Sequence, residues 1–282
     1  MRQQFLAPVA MIGVLALAAC TESGDKTVED AYQDVNVIDQ SNLNDVMLTV
    51  ADPNEAVSYF TRSVNAKPDR IDLQRGLAIS LIRAKRVTEG VIAWSKVNSM
   101  PGTLPQDAVA YADALIRNGD WKKAEEVLDK VAPTHETFRR YRLEAMVADA
   151  NGEWKKADSF YEIAIGLTTE PAGVMNNWGF SKLTRGDYAE AERLFGQAIR
   201  QDPKLFTAKN NLVLARAAQR NYTIPVIPMT QIERAMLMHT LALSAIKQGD
   251  VDTGETLLRE AIKTHPQHFE EAVRALEALE SA

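Results

Sequence analysis

The sequence is poor in cysteine, aromatic residues, glycine and proline. Its 282 residues include one cysteine, 14 glycines and 11 prolines, and 7% of them are aromatic. A single cysteine excludes an internal disulfide framework and any cysteine-rich zinc or iron-sulfur site. Few turn-forming residues disfavour a fold of many short strands, whereas a 46% share of hydrophobic residues suffices for a core. The composition therefore predicts an all-α fold.

The sequence also lacks a basic excess and the common catalytic motifs. Because 32 Lys and Arg stand against 38 Asp and Glu, the net charge is -6 and we expect no nucleic-acid partner. The chain has no glycine-rich phosphate loop, no metalloprotease histidine pair one helical turn apart and no nucleophile elbow. We therefore expect that the protein is not an enzyme and uses no cofactor, metal or small-molecule substrate.

The first 20 residues predict export. Arg2 precedes an apolar stretch from Phe5 to Ala19, which is too short to span about 30 Å of hydrocarbon as a helix. Residues 1–19 are therefore predicted to be a signal peptide. The run Leu17-Ala18-Ala19-Cys20 resembles the bacterial lipobox, which implies cleavage before Cys20 and lipidation of that cysteine. An ordinary signal peptide with an incidental cysteine is the alternative.

Residues 20–36 are predicted to be a lipidated tether. The segment carries five acidic residues against Lys26 alone, as is typical of a solvated linker; docking of these acids to a basic partner is the alternative. In bacterial lipoproteins an aspartate directly after the cysteine favours retention at the inner membrane. The residue here is Thr21, so the resemblance implies lipid anchoring at the periplasmic face of the outer membrane.

A period of about 34 residues organises the chain from residue 37 to residue 266. Small residues recur in one column at intervals of 33 or 34 residues, and a bulky residue follows each of them four positions later. This alternation allows antiparallel helices to approach closely while the bulky side chains fill the groove between them. The predicted packing residues are Ala56, Phe60, Gly90, Trp94, Ala124, Leu128, Ala157, Tyr161, Gly179, Ala191, Phe195, Gly254 and Leu258.

The unit from Met175 to Pro203 resembles the tetratricopeptide repeat, with small residues at Gly179 and Ala191 and a terminal proline. The resemblance implies a superhelical solenoid of helix pairs. Pro225 and Pro228 predict an interruption near residues 222–229, where a connector replaces a helix. Residues 267–282 show helical apolar spacing and are predicted to form a C-terminal capping helix.

Turn residues support these helix boundaries. Gly119, Gly152, Gly186 and Gly249 are predicted to end first helices in a left-handed conformation. We expect Asp120, Asp187 and Asp250 to accept hydrogen bonds from the free amides that open the next helices. Thr230 and Glu233 form a capping-box pattern where the repeat resumes.

Four asparagines suggest where the repeats bind a partner. In tetratricopeptide repeats the inner helices line a concave groove, and asparagine there commonly hydrogen-bonds an extended peptide backbone. The resemblance implies such a peptide-binding groove, with a carboxylate or an acidic segment attracted by the arginines. Hydrogen bonding within the protein is the alternative for the asparagines, and simple solvation for the arginines. The candidate groove residues are Asn176, Asn177, Asn210, Asn211, Arg75, Arg117 and Arg142.

Two histidines, three methionines and the proline-containing connector each have two interpretations. His265 and His268 could hold a metal if a third ligand came from elsewhere, whereas turn or cap roles are the simpler interpretation. The connector Tyr222–Thr230 could pair with a partner or pack on the solenoid. Met229, Met236 and Met238 could form an adaptable binding patch or fill the core.

The lipobox, the repeats and two flanking segments together resemble the TadD family of lipoproteins, which act in assembly of tight adherence (Flp/Tad) pili. The flanking segments are Ile71-Asp72-Leu73-Gln74-Arg75-Gly76-Leu77-Ala78 and Thr264-His265-Pro266-Gln267-His268-Phe269-Glu270. The resemblance implies a protein-binding adaptor that assists targeting or multimerisation of the outer-membrane secretin. The alternatives are an adaptor of another envelope machine, for β-barrel assembly or type IV pilus biogenesis, and a metal-dependent envelope enzyme.

Overall fold

The computed structural model describes residues 43–281, and every regular element in that range is an α-helix. The predicted signal peptide, Cys20 and the predicted tether lie outside the described residues. No helix in the described range is long and apolar enough to cross a bilayer.

Fourteen helices follow one another along residues 43–281. They are α1 (43–49), α2 (Pro53–Ala66), α3 (Ile71–Arg83), α4 (Val87–Ser99), α5 (Pro105–Asn118), α6 (Trp121–Leu128), α7 (Phe138–Ala150), α8 (Trp154–Gly166), α9 (Ala172–Thr184), α10 (Tyr188–Gln201), α11 (Phe206–Ala218), α12 (Gln231–Lys247), α13 (Val251–Thr264) and α14 (Glu270–Glu280).

The described residues divide into two compact units, the first ending at Ala93 and the second beginning at Trp94, with the boundary inside α4. In the first unit, Phe60 and Val64 of α2 pack against Leu73 of α3 in a small apolar core. The guanidinium of Arg83 donates hydrogen bonds to the carbonyls of Met47 and Ala51 at 3.0 Å each, so it satisfies the C-terminal end of α1.

The second unit has an inner and an outer layer of helices. Helices α5, α7, α9, α11 and α12 contact one another in succession, whereas α6, α8 and α10 each contact the inner helices before and after them. Within residues 94–281, no two of the outer helices α6, α8, α10 and α13 pack substantially against each other. Because the inner helices approach more closely than the outer ones, this unit curves with its inner helices on the concave side.

The predicted packing columns lie inside the helix pairs. The small residues Ala124, Ala157 and Ala191 and the bulky Tyr161 and Phe195 are all at most 1% exposed. A Cβ at Gly179 would lie 2.7 Å from the ring of Phe195, so only glycine lets α9 and α10 cross at this distance. The other column members are also buried: Ala56, Phe60, Gly90, Trp94, Leu128, Gly254 and Leu258.

The predicted interruption is present after α11. Residues 221–230 contain no helix, and Tyr222, Ile224 and Met229 pack against the core formed by α11, α12, α13 and α14. Of the two interpretations of the connector, packing is correct for these side chains, although Val226 is fully exposed. Met238 fills the same core, whereas Met236 is 39% exposed.

Only some of the predicted helix caps are present. Thr230 and Glu233 form the predicted capping box of α12, and Asp250 accepts a hydrogen bond from the Thr253 amide at 3.3 Å. The predictions for Asp120 and Asp187 were wrong, since neither side chain caps its helix. Asp120 instead accepts a hydrogen bond from the Asn118 side chain at 2.7 Å, which competes with the cap.

Helices α6 and α14 differ from the regular helix pairs, α6 because it is short and α14 because it is a single helix at the end of the array. Helix α6 ends at Leu128 after 8 residues, so an irregular segment takes the place of its second half. Helix α14 packs on α13 and buries Ala272 and Leu276 in the last core, as expected of a capping helix.

The left-handed C-cap position is not always a glycine. Gly119, Gly152, Gly186 and Gly249 have φ between 74° and 84°, as predicted, but Lys85 after α3 and Arg220 after α11 adopt φ of 60°. A side chain in this conformation is strained, whereas glycine is not. We expect Lys85→Gly to raise the free energy of unfolding by about 0.5 to 1 kcal/mol in urea titrations, since the relief of strain exceeds the entropy cost of glycine. Lys85→Ala is the matched control, and an equal gain from it would contradict the backbone explanation.

Candidate peptide-binding groove

The inner face of the second unit is set by the repeat register. One buried position recurs on the five inner helices as Ala112, Ala145, Gly179, Val213 and Ala242. The spacing is 33, 34, 34 and then 29 residues, the last being shorter because the connector replaces a helix. The residues three positions before and one position after this buried residue lie side by side on successive helices. These helices therefore present one continuous face.

Polar side chains join the inner helices in a ladder along this face. The Asn211 amide donates to the Asn176 carbonyl oxygen at 3.0 Å, and the Thr240 hydroxyl donates to Asn210 at 2.8 Å. The Asn177 amide contacts the sulfur of Met146 at 3.5 Å. Of the two interpretations of the asparagines, hydrogen bonding within the protein describes these contacts, and Asn211 is only 8% exposed.

A half-buried carboxylate, that of Asp149, continues the ladder between α7 and α9. Asp149 accepts hydrogen bonds from Ser181 at 2.6 Å and from the hydroxyl of Tyr161 at 2.9 Å. Burial raises the pKa of Asp149, and the same burial raises that of Tyr161. No local sequence pattern indicates this triad, because its members lie 12 to 32 residues apart.

Three arginines surround one aspartate at the α5 and α7 end of the face. Arg117 and Arg139 reach the carboxylate of Asp113 at 3.2 and 3.3 Å, and Arg142 lies 3.9 Å from it. Burial lowers the pKa of Arg142; Asp113 opposes this effect and the neighbouring arginines add to it. The Nε of Arg142 is buried without a hydrogen-bond partner. These four residues are called the arginine cluster below.

The arginine cluster differs from the predicted set. Arg117 and Arg142 are brought together, whereas Arg75 lies on α3 in the other compact unit. Sequence reasoning missed Arg139 and Asp113. Arg139 lies three residues before Arg142, the spacing that places two side chains on one helix face, so the pattern held a usable signal.

Apolar side chains follow the arginine cluster along the same face. The residue after the recurring buried position is Met146, Phe180, Leu214 and Leu243 on α7, α9, α11 and α12. Phe180 is 50% exposed and Leu243 45%, whereas Met146 and Leu214 are partly buried. These four residues, called the apolar row, give the inner face a surface that can contact a partner's side chains.

The histidines have local partners. His265 stacks on the ring of Phe269 at 4.9 Å and its Nδ1 lies 2.9 Å from the Gln267 carbonyl, while His268 contacts Glu270. Burial lowers the pKa of His239, whose ring lies 5.4 Å from Phe269. Among residues 43–281, no group of three or more His, Cys, Asp or Glu side chains is placed to hold a metal ion.

A separate cleft of about 200 Å³ lies beside the shortened α6. It is lined by apolar residues and by charges of both signs, including Glu125, Asp129, Arg140 and Lys156. Arg140 is already paired with Glu144 at 2.6 Å and donates to the Ala132 carbonyl. On the inner face, by contrast, the Nε of Arg142 has no hydrogen-bond partner, and Phe180 and Leu243 are exposed. The inner face is therefore the stronger candidate site.

Comparison with known proteins identifies the repeat. Residues 177–223 and 238–268 each match a family model described as a tetratricopeptide repeat. No curated protein sequence matches the chain.

Solved structures support the same fold. The Cut9 and Hcn1 hetero-tetramer of the APC/C matches at a TM-score of 0.59 and 16% identity, over 81% of this chain and 46% of that chain. A tetratricopeptide repeat protein from Parabacteroides merdae matches at a TM-score of 0.56 and 12% identity, over 92% and 99% of the two chains. A human IFIT1 dimer with PPP-AAAA matches at 0.56 and 14%, over 80% and 59%.

The chain spans less than half of the first of these neighbours. At these identities the likeness shows the fold alone. The predicted all-α tetratricopeptide-repeat solenoid is confirmed, and repeats of this kind imply a scaffold for protein interactions.

Proposed function

We propose that this tetratricopeptide-repeat chain is a lipid-anchored adaptor at the periplasmic face of the outer membrane, where it binds a pilus secretin and assists its targeting or multimerisation. The observation that carries the binding function is the inner face of the second unit, which exposes Phe180 and Leu243 of the apolar row and also carries the arginine cluster. The pilus assignment is supported by the lipobox-like Leu17-Ala18-Ala19-Cys20 and by the two segments that resemble the TadD family.

The adaptor works by capture. Acyl chains on Cys20 would contribute about 0.8 kcal/mol per buried CH2 to membrane attachment, and two or more chains make it stable. Attachment keeps the groove near the membrane, which raises the effective concentration of a secretin segment beside its insertion site. Weak binding in the groove is then sufficient for the function.

The anchor is tested by changing the lipobox in the native cells. Cys20→Ala is expected to move the protein from the membrane to the soluble fraction and to abolish pilus assembly, because the acylated residue is lost. Thr21→Asp, which leaves the cysteine intact, is the informative companion. We expect it to keep the protein membrane-bound but at the inner membrane, as the resemblance to bacterial lipoproteins implies. Unchanged fractionation of Cys20→Ala would contradict the proposal.

The partner is tested by purifying the lipidated protein in mild detergent and identifying the copurifying proteins by mass spectrometry. Recovery of a pilus secretin, reduced in the Cys20→Ala sample, would support the proposed function. Recovery of β-barrel assembly or type IV pilus components would overturn the tight adherence assignment and leave an adaptor of another envelope machine.

A further inference from the structure

Two neighbouring outer helices begin with the same three residues. Helix α6 opens with Trp121-Lys122-Lys123, and α8 opens 33 residues later with Trp154-Lys155-Lys156. Both helices pack against α7 and lie antiparallel to it, so they run in the same direction and begin at the same edge of the second unit. Asn151, in the turn before α8, donates a hydrogen bond to Glu125 of α6 at 3.0 Å, which holds the two helix starts together. These six residues are called the Trp-Lys-Lys edge below.

The four lysines of this edge are exposed, and three of them are unpaired. Lys156 forms an ion pair with Glu153 at 2.9 Å. The other three lysines have no ion pair or side-chain hydrogen bond with any part of the chain that the structure describes. The same two turns contain only two carboxylates, Asp120 and Glu153, so the edge has a local charge of +2. The chain as a whole is acidic at -6, so this excess is local.

Helix stability does not account for these lysines. The free amides at the start of a helix favour acidic side chains in the first turn and disfavour basic ones. Neither α6 nor α8 has an acidic residue in its first turn, and neither N-cap side chain accepts a hydrogen bond. The other outer helices of the second unit, α10 and α13, follow the usual pattern with Glu190 and Asp252. The basic edge is therefore confined to two adjacent repeats and opposes local helix stability.

The tryptophans make the same edge amphipathic. Trp154 is 43% exposed, and Trp121 is partly buried. Tryptophan favours the headgroup level of a bilayer because its ring is apolar and its N–H is polar, and lysine can lay its methylene chain there while its ammonium group meets lipid phosphates. An exposed tryptophan among unpaired lysines therefore matches an anionic lipid surface in both charge and polarity. A nucleic acid matches less well, because the edge adjoins the acidic first turn of α10.

We infer that the Trp-Lys-Lys edge binds the surface of a bilayer that contains anionic phospholipid. The lysines contact the lipid phosphates, and Trp154 enters the headgroup layer. Because the edge is formed by helix ends, the helices of the second unit then stand upright on the membrane and the inner face remains open to a partner. This inference rests on the lipid anchor of the proposed function, and it adds how the second unit is turned toward the bilayer.

The test uses the full lipidated chain in vesicles of phosphatidylcholine, with or without about 30% phosphatidylglycerol. The phosphatidylcholine carries brominated acyl chains, which quench the fluorescence of tryptophan that lies in the membrane interface. We expect quenching only in the vesicles that contain phosphatidylglycerol, and we expect about 0.5 M salt to remove it. Trp154→Phe should lower the quenched fluorescence about 2-fold or more, because its ring is the more exposed of the two.

Two triple variants separate the basic edge from lysine charge in general. Each lysine near an anionic surface shifts the docking equilibrium about 5-fold, so loss of the three unpaired lysines should abolish the quenching. This variant combines Lys122→Gln, Lys123→Gln and Lys155→Gln. Its melting temperature should be unchanged or higher, since the lysines oppose the helix dipole. The matched control removes three exposed lysines from the opposite edge, at or near the C-terminal ends of α6, α10 and α13, and should leave the quenching unchanged. It combines Lys130→Gln, Lys204→Gln and Lys263→Gln.

Equal quenching with and without phosphatidylglycerol would overturn the inference, as would equal losses in the two triple variants. Loss of quenching on addition of an oligothymidylate, at a phosphate concentration equal to that of the lipid, would overturn the lipid assignment and favour a nucleic acid. If the purified chain is acylated but shows no quenching, the edge inference fails and the anchor stands. If mass spectrometry finds no acyl chain, the anchor fails instead. Quenching that still requires phosphatidylglycerol when that chain is added to vesicles from solution would then support the edge alone.

Discussion

Glu233→Ala is expected to lower the free energy of unfolding by about 4 kcal/mol, because it leaves a buried ammonium group without its counter-ion. Lys209 on α11 is 2% exposed, and its Nζ donates to both carboxylate oxygens of Glu233 at 2.9 and 3.0 Å. Glu233 also accepts a hydrogen bond from the Thr230 amide at 2.7 Å, so the change removes half of a capping box as well. Urea unfolding followed by circular dichroism measures the loss.

The double variant Lys209→Met with Glu233→Ala separates the two contributions. Replacing both members of a buried pair by apolar groups is often close to neutral, so the double variant should be more stable than Glu233→Ala alone. Thr230→Ala, which removes only the reciprocal cap, should cost about 1 kcal/mol. If the double variant is no more stable than Glu233→Ala, the lost free energy of unfolding does not come from leaving Lys209 without its counter-ion.

Asp158→Ala is expected to cost about 3 kcal/mol, because one carboxylate joins three donors of the adjacent helix. Asp158 on α8 accepts hydrogen bonds from Trp178 Nε1 at 2.6 Å, Arg185 at 2.7 Å and Lys182 at 3.0 Å. Lys182 and Arg185 are only 14% and 12% exposed, so Arg185 would lose its ion pair and Lys182 would keep only the longer contact with Asp187, at 3.9 Å. The midpoint of urea unfolding is the measurement.

The same carboxylate makes stability depend on pH. Burial acts to raise the pKa of Asp158, but the hydrogen bonds from Arg185, Trp178 and Lys182 outweigh it and lower the pKa from 3.8 to about 2. The contribution of a carboxylate with a lowered pKa is complete above the unfolded value and is lost as the pH falls through the folded value. We therefore expect wild type to lose stability between about pH 4 and pH 2 more steeply than Asp158→Asn.

Glu190→Ala is the control for this network. Glu190 also pairs with an arginine, Arg193, but this pair lies within one helix, α10, with the two side chains 32% and 48% exposed, and such pairs contribute little. Its effect should stay within about 0.5 kcal/mol. A loss as large as that of Asp158→Ala would show that the bridge between helices is not what stabilises this region.

The repetitive part of the fold could be predicted because packing constraints recur in the sequence. A small residue such as Ala191 and a bulky one such as Phe195 leave the same signature wherever two helices cross, and prolines at 225 and 228 forbid a helix between them. The early end of α6 could not be predicted in this way. Its sequence keeps the helical columns through Val131, which is buried at 4% exposure although the helix ends at Leu128.

The polar part of the site was less accessible to sequence reasoning. The recurrence of asparagine in the repeats predicted Asn176 and Asn211 as groove residues. Recurrence does not distinguish a contact with a ligand from a hydrogen bond between neighbouring helices, which is what these two form. The burial of Lys209 beside them could not be predicted, since lysine is usually a surface residue and its partner lies 24 residues away across an irregular connector. Pairings between distant residues depend on how helices meet, which the local pattern does not contain.

The missing second helix after α11 changes how cooperativity passes along the array. In a tandem array each element is stabilised chiefly by its neighbours, as in a one-dimensional Ising chain. Helix α11 places Ala208 and Leu212 in the core shared with α10, and Val213 and Ala217 in the core shared with α12 and α13. Helix α11 therefore couples those two cores together with the connector, whose Ile227 packs on the first core and whose Ile224 packs on the second. Helix α11 does so without a partner helix in its own repeat.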